Sequence, residues 1–345
     1  MHPGGGPVNH GVGAFIAGCS GPSLTPTERA FFARTRPFGF ILFARNIDEP
    51  EQVRSLTRDL RQAVGRKAPI LIDQEGGRVQ RLRPPHWRPW APALDQITVA
   101  GPAHAARSMY LRARLIAFEL SMLGIDVDCA PVADIARPET HDILKNRCYG
   151  TEPKSVIACA RATAEGLLEG GVLPVIKHIP GHGRATADSH LRLPRVKANW
   201  TALEVTDFAV FQALAGMPMA MTAHVVYDAI DPDLPATISP RAIAMIRRGI
   251  GFGGFLMSDD VSMKALSGTI AERSRASIQA GCDAVLHCNG DMAEMEEVAE
   301  ASGTLTGAAA DRAARALARR RPPQPIDVTA VATELYGLLE KAAHG

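Results

Sequence analysis

The sequence predicts a closed (β/α)8 barrel of the TIM type, an α/β fold, and three observations predict it. Eight short apolar blocks recur along the 345 residues: "GAFIAG" (13–18), "FGFILFA" (38–44), "APILID" (68–73), "IDVDCAPV" (125–132), "VLPVIKHI" (172–179), "MAMTAHVV" (219–226), "GGFLMSDD" (253–260) and "DAVLHCN" (283–289). Most are continuous rather than alternating, as strands buried on both faces of a parallel sheet must be. Helical patterns separate them, and strand–helix alternation implies right-handed crossovers between parallel neighbours. Eight units suggest closure, with an open doubly wound sheet as the weaker alternative.

The first block runs into "FIAGC", which resembles a lipoprotein cleavage site ending at Cys19. No lysine or arginine precedes it and the apolar run is short for a signal core, so a strand is expected. Thr25, Pro26 and Glu28 then form a capping box with proline at the first helical position, opening a helix through "ERAFFART". Asp48 and Glu51 are expected to open the next helix in the same way. Val53, Leu56, Leu60 and Ala63 form its apolar stripe and Gly65 ends it. "RPPHWRPWAPAL" (84–95) is expected to be a proline-rich connection, and a closing helix is expected from about residue 326. A single domain over residues 1–345 is expected.

With 46% apolar and 21% charged residues, composition is that of an ordinary globular protein with ample material for a core. A net charge of +2 lacks the basic field that nucleic-acid binding demands. No apolar stretch approaches the roughly 18 residues that cross a bilayer, so no membrane partner is expected. Six cysteines without CxxC spacing suit buried free thiols in a reducing compartment. A cytoplasmic monomer is the expectation.

In a barrel, chemistry gathers where strands end. Asp73, Asp134, Lys177 with His178, His224, and Asp259 with Asp260 all fall at or just past predicted strand ends. "KHIPGHGRATADSH" (177–190) is the densest such stretch. Zinc of the HExxH kind needs two histidines on one helical face, whereas His178, His182 and His190 flank prolines and glycines. A metal is therefore not expected, although a loop-built site drawing on Asp188 or His224 would fit the spacing. "GHGRA" lacks the GK[ST] ending of a phosphate loop. Acid–base chemistry is the third reading. Asp188 and His190 lie two apart, on one side of an extended segment. A carboxylate on one imidazole nitrogen fixes the tautomer and leaves the other to move a proton. For this pair alone, a loop histidine with a nearby counter-ion is the simpler account.

"MSDDVSM" (257–263) places two aspartates at a strand end, pointing opposite ways. Asp259 facing the mouth could attack an electrophilic carbon, while Asp260 makes structural, helix-capping bonds. In "DQEGGRVQRLR" (73–83), Asp73 ends a strand, Gly76 and Gly77 turn the chain, and Arg78 and Arg81 follow within reach. A carboxylate with arginines suits vicinal sugar hydroxyls or an acyl oxygen.

The blocks "DQEGGRVQR", "KHIPGHG", "ADSH" and "SDDVSM", in this order and at these separations, resemble the family 3 glycoside hydrolases, within them the bacterial single-domain β-N-acetylhexosaminidases. The resemblance covers about residues 13 to 290. It implies a retaining enzyme, without metal or cofactor, that removes terminal N-acetylglucosamine from cell-wall muropeptides ending in 1,6-anhydro-N-acetylmuramic acid. By position it implies Asp259 as nucleophile, His190 as acid/base with Asp188 orienting it, and Asp73, Arg81, Arg147, Lys177 and His178 as the residues that hold the sugar. An imidazole acid departs from the usual pair of carboxylates. Gly181 and Gly183 would serve as hinges for its loop. Adjacent strand residues face opposite sides, so for both Lys177 and His178 to grip the sugar a bulge or a non-proline cis peptide is expected there. Ile179, Val261 and Cys148 depart from the usual residues of the family. A glycoside phosphorylase using the same site, and a barrel that binds amino sugars without turning them over, are the alternatives.

Overall fold

The computed structural model describes residues 11–186 and 192–343, and in it all eight apolar blocks are strands of one closed parallel barrel. They are β1 (Gly13–Ala17), β2 (Pro37–Leu42), β3 (Ile70–Ile72), β4 (Val127–Asp128), β5 (Leu173–Ile179), β6 (Met219–Thr222), β7 (Phe255–Asp260) and β8 (Ala284–His287). Each strand pairs with its neighbours in sequence, and β1 pairs with β8 to shut the ring, Phe15 opposite Val285. The "FIAGC" run is thus a barrel strand bonded on both edges, with Cys19 buried just beyond it.

The continuous apolar runs have two destinations. Leu71, Val175, Met219, Phe255 and Leu286 meet inside the barrel, whereas Ile70, Ile72, Ile176, Ala220 and Leu256 pack outward beneath the helices. Both faces are therefore dry, which is why no polar alternation was visible. Phe38 of β2 and Phe255 of β7 stack inside at 4.3 Å between ring centres.

The helical layer comprises α1 (Pro26–Thr35), α2 (Pro50–Val64), α3 (Ala93–Ser121), α4 (Pro153–Glu169), a composite α5 over 200–213, α6 (Pro240–Arg248), α7 (Ile270–Ala280), α8 (Met292–Ser302), α9 (Gly307–Leu317) and α10 (Val328–Ala343). Thr25 caps α1 as expected, accepting from the Glu28 amide while the Glu28 carboxylate accepts from the Thr25 amide at 2.9 Å. Asp48 does not cap α2. Pro50 takes the first helical position, so the cap falls on Glu49, which makes no side-chain bond, and the Asp48 amide donates to Gln52 instead. Gly65 ends α2 in the left-handed region, at φ 63°. The proline-rich 84–95 stretch is more than a connection, since Trp87 and Trp90 within it are buried in the core. α10 packs against α3, close to where the closing helix was expected to begin.

Because Phe255 fills the barrel interior, Phe255→Ala is expected to lower unfolding free energy by about 3–5 kcal/mol. Urea denaturation followed by circular dichroism measures it, and a loss under about 1 kcal/mol would contradict this account of the interior.

Candidate active site

A pocket of about 140 Å³ opens at the C-terminal ends of the strands. Its wall takes Ile41 and Phe43 from the β2 end, Asp73 and Arg81 from beyond β3, and Arg147 from the loop after β4. Lys177 and His178 come from β5, Met221 from β6, Asp259 and Asp260 from β7, and Leu286 from β8.

Its charged floor is built by one short hairpin. Residues Gln74–Gly76 and Val79–Gln80 pair antiparallel just beyond β3, turning through Gly76 and Gly77, both at positive φ (106° and 58°). A side chain at Gly76 would strike the Arg112 guanidinium, 1.8 Å from where its Cβ would sit. The turn returns Arg81 to Asp73 at 3.1 Å, with its guanidinium over the Phe43 ring at 4.8 Å. Arg78 points away and is exposed. Lys177 reaches Asp73 at 2.8 Å and Glu75 at 2.7 Å, and Arg147 grips Glu75 through two bonds of 2.8 Å. Burial alone would raise the Asp73 carboxyl, but the charges of Lys177 and Arg81 hold it well below the usual carboxylate range. Burial is likewise overridden at Glu75 by Arg147 and Lys177, which hold it at about 2. At Lys177 burial would lower the ammonium, and Asp73 and Glu75 keep it above its ordinary value instead. Asp73, Glu75 and Lys177 are therefore all charged at neutral pH.

The Lys177–His178 peptide is cis, and the β5–β6 register shifts between Ile176 and Ile179, so both expected irregularities are present and both side chains line the pocket. His178 Nδ1 lies 2.7 Å from the buried Asp134 carboxylate, which also accepts the backbone amides of His178 and His182. The His182 ring meets that of His178 edge-on at 5.5 Å, and burial together with the His178 charge pushes it down to about 4.

Asp259 and Asp260 both line the pocket, and Asp260 makes the structural bonds expected of it but not the helix cap. Asp260 accepts from the Ser262 amide and hydroxyl and from the Cys288 amide across to β8, so it fastens a turn rather than a helix, α7 starting ten residues later at Ile270. Asp259 accepts from the Asp260 amide at 2.8 Å. Burial would raise its carboxyl, yet His224, His178 and that amide leave it below its ordinary value. His224 sits behind, its Nε2 donating to the Asp260 carbonyl at 3.0 Å and its Nδ1 2.7 Å from the Thr237 hydroxyl. Burial lowers its pKa against the pull of Asp259.

Asp188 and His190 lie outside the described residues. The chain up to them is closely held: Tyr227 donates to the Gly181 carbonyl, Thr140 to that of Gly183, and Arg184 to Asp207 at 2.7 Å. A Cβ on Gly183 would sit 1.9 Å from the Ile135 carbonyl oxygen, so close packing demands a glycine at this position. Asp207 comes from the π-helical turn Glu204–Phe208 in α5, whose extra residue per turn carries it inward.

Two buried carboxylates had no role assigned from sequence. Glu75 stands inside the "DQEGGRVQR" block, two residues past Asp73, and Asp134 ends "APVAD". Among the described residues, no three histidine, cysteine, aspartate or glutamate side chains converge as metal ligands. All six cysteines are free, and among the described residues no helix is long and apolar enough to cross a membrane.

A parallel barrel with carboxylates and paired cations at its mouth is an architecture that glycoside hydrolases use. The chain belongs to glycosyl hydrolase family 3, whose N-terminal domain model matches residues 26–319. It is 42% identical over 286 residues to a β-hexosaminidase of Alkalilimnicola ehrlichii, covering 81% of each chain. NagZ from Neisseria gonorrhoeae, solved in complex with N-trifluoroacetyl-D-glucosamine, is similar at a TM-score of 0.84 and 31% identity, covering 97% of this chain and 98% of that one. The same gonococcal protein solved in complex with a zinc ion matches at a TM-score of 0.82 and 30% identity, again over 97% and 98% of the two chains.

The neutral histidines make stability depend on pH. In the unfolded chain each titrates near 6.5, whereas folded His182 resists protonation to about 4 and His224 is also lowered. Between those values the unfolded state binds more protons, so stability is full above pH 6.5 and falls as pH drops towards 4. Thermal unfolding from pH 7 to 4.5 is expected to follow this slope, with His182→Asn shallower than wild type. An unchanged slope in that variant would disprove the assignment.

Proposed function

We propose that the chain is a retaining exo-β-N-acetylglucosaminidase that releases terminal N-acetylglucosamine from muropeptides, including those ending in 1,6-anhydro-N-acetylmuramic acid, during cell-wall recycling. The observation that carries this reading is Asp259: an enclosed, ionised carboxylate on the wall of a pocket whose floor is a set of paired, fixed charges suited to sugar hydroxyls. Asp73, Arg81, Arg147, Lys177 and His178 hold the sugar. Likeness to β-hexosaminidases and to a structure solved with a glucosamine derivative supports the amino-sugar preference.

In the first step Asp259 attacks the anomeric carbon, and the bond to the leaving oxygen breaks as His190 gives that oxygen a proton. This leaves a glycosyl ester on Asp259. In the second step His190, oriented by Asp188, removes a proton from water, which attacks the same carbon and frees the carboxylate with retention of configuration. Neither step consumes a metal or a cofactor. Phosphate as acceptor finds less support. Among the described residues, every lysine or arginine lining the pocket already rests on a carboxylate, leaving none to receive an anion. We assign the activity to a cytoplasmic monomer with one catalytic domain, in keeping with six free thiols.

Hydrolysis of a chromogenic N-acetyl-β-glucosaminide in EDTA tests the reading. Wild type is expected to be indifferent to EDTA, and Asp259→Asn to lose on the order of 10⁴-fold in kcat or more. His190→Ala is expected to lose about 10²–10⁴-fold on a muropeptide and less on the activated glycoside. A folded wild type that does not turn over, or that releases sugar 1-phosphate in phosphate buffer, would refute it.

A further inference from the structure

We propose that Glu75 is a positioning residue for the sugar subsite, one buried carboxylate that sets both the orientation and the net charge of Arg147 and Lys177. The inference rests on the reading that those two cations hold the sugar. Glu75 is absent from the pocket wall and its side chain is only 2% exposed, so it acts through its partners rather than on substrate.

Its geometry is held from both ends. The Arg147 fork meets the carboxylate edge-on through Nε and a terminal nitrogen, the planar bidentate arrangement that leaves a guanidinium least freedom. Oε1 also lies 2.7 Å from the Lys177 ammonium in an ion pair, while that ammonium donates to Asp73 at 2.8 Å, so Lys177 is held between the two carboxylates. On the backbone side, the Glu75 carbonyl accepts from Arg112, a fully buried guanidinium lying over the Trp90 ring and bonded to Gln96. Arg112 occupies the space above Gly76, which clamps the hairpin so that Glu75 cannot retreat.

The charge argument is separate from the geometric one. With Glu75 ionised, Arg81, Lys177 and Arg147 face two carboxylates, Asp73 and Glu75. With an amide at position 75 the same cations face only Asp73. The three cations would then outnumber their carboxylates by two, and a small anion entering from the pocket would supply the missing counter-charge.

Three variants of the full chain separate these effects, with KM and kcat measured on a chromogenic N-acetyl-β-glucosaminide with and without inorganic phosphate, and folding checked by thermal unfolding. Glu75→Gln is expected to raise KM about 10–100-fold, the size by which outer partners tune the groups they orient, with kcat falling less than about threefold. It is also expected to become competitively inhibited by millimolar phosphate, to which wild type is indifferent. Glu75→Asp keeps the charge but loses the fork, so KM rises without phosphate inhibition. Lys177→Ala tests the underlying reading. If it leaves KM unchanged, the subsite assignment itself fails. If it raises KM while a folded Glu75→Gln matches wild type in KM and in phosphate response, only the role of Glu75 fails. Loss of kcat at constant KM, or unfolding of both position-75 variants, would overturn the proposal in favour of a purely structural carboxylate.

Discussion

The pocket depends on one constraint: charges taken out of water must meet their partners. An unpaired ion in a protein interior costs several kcal/mol, and here the buried Lys177 and Glu75 and the partly buried Asp73 and Arg147 form one chain of contacts. The partners come from three different strand ends, β3, β4 and β5. A slip of one residue in β5 would turn Lys177 towards the wrong face and leave Asp73 and Glu75 without its charge. The ion chain is therefore also a register lock, tying the least regular part of the barrel, around the cis Lys177–His178 link, to the hairpin beyond β3.

The carboxylates in and near the pocket differ widely in proton affinity. Asp73 and Glu75 stay ionised because cations outweigh burial, and Asp259 because two histidines and an amide do so. Asp128, at the end of β4 and beneath the floor, has too little compensation, and burial pushes it up to about 7. The protein thus grades proton affinity over a short path by choosing which carboxylate receives a cation.

Much of this was legible in the sequence, and the exceptions have physical causes. The eight strands could be read because burial on both faces demands unbroken apolar runs. Asp73, Lys177 and Asp259 could be read because polar residues ending such runs have no other place than the barrel mouth. Glu75 carried no local signal, since its partner Arg147 is 72 positions away and only the closed fold brings them together. Asp134 was noticed as a strand-end carboxylate, but its threefold acceptance from His178 and His182 follows from backbone turns that no periodicity encodes. The Asp48 cap failed for a simpler reason: a proline one residue later than the assumed start governs where a helix begins. Gly183 answers to a carbonyl in a neighbouring loop, a long-range demand that sequence displays only as a glycine.

Closure of the ring by β1 against β8 also shapes how the molecule comes into being. Phe15 must wait for Val285, so the first strand made is among the last to have both edges satisfied. Until then the nascent chain carries two open parallel edges, both apolar, for the whole interval of synthesis between them. Closing so large a loop late makes assembly slow compared with a helical bundle of equal stability. Expression yield and solubility should respond first to changes in β1 and β8, long before any effect on the finished enzyme's turnover.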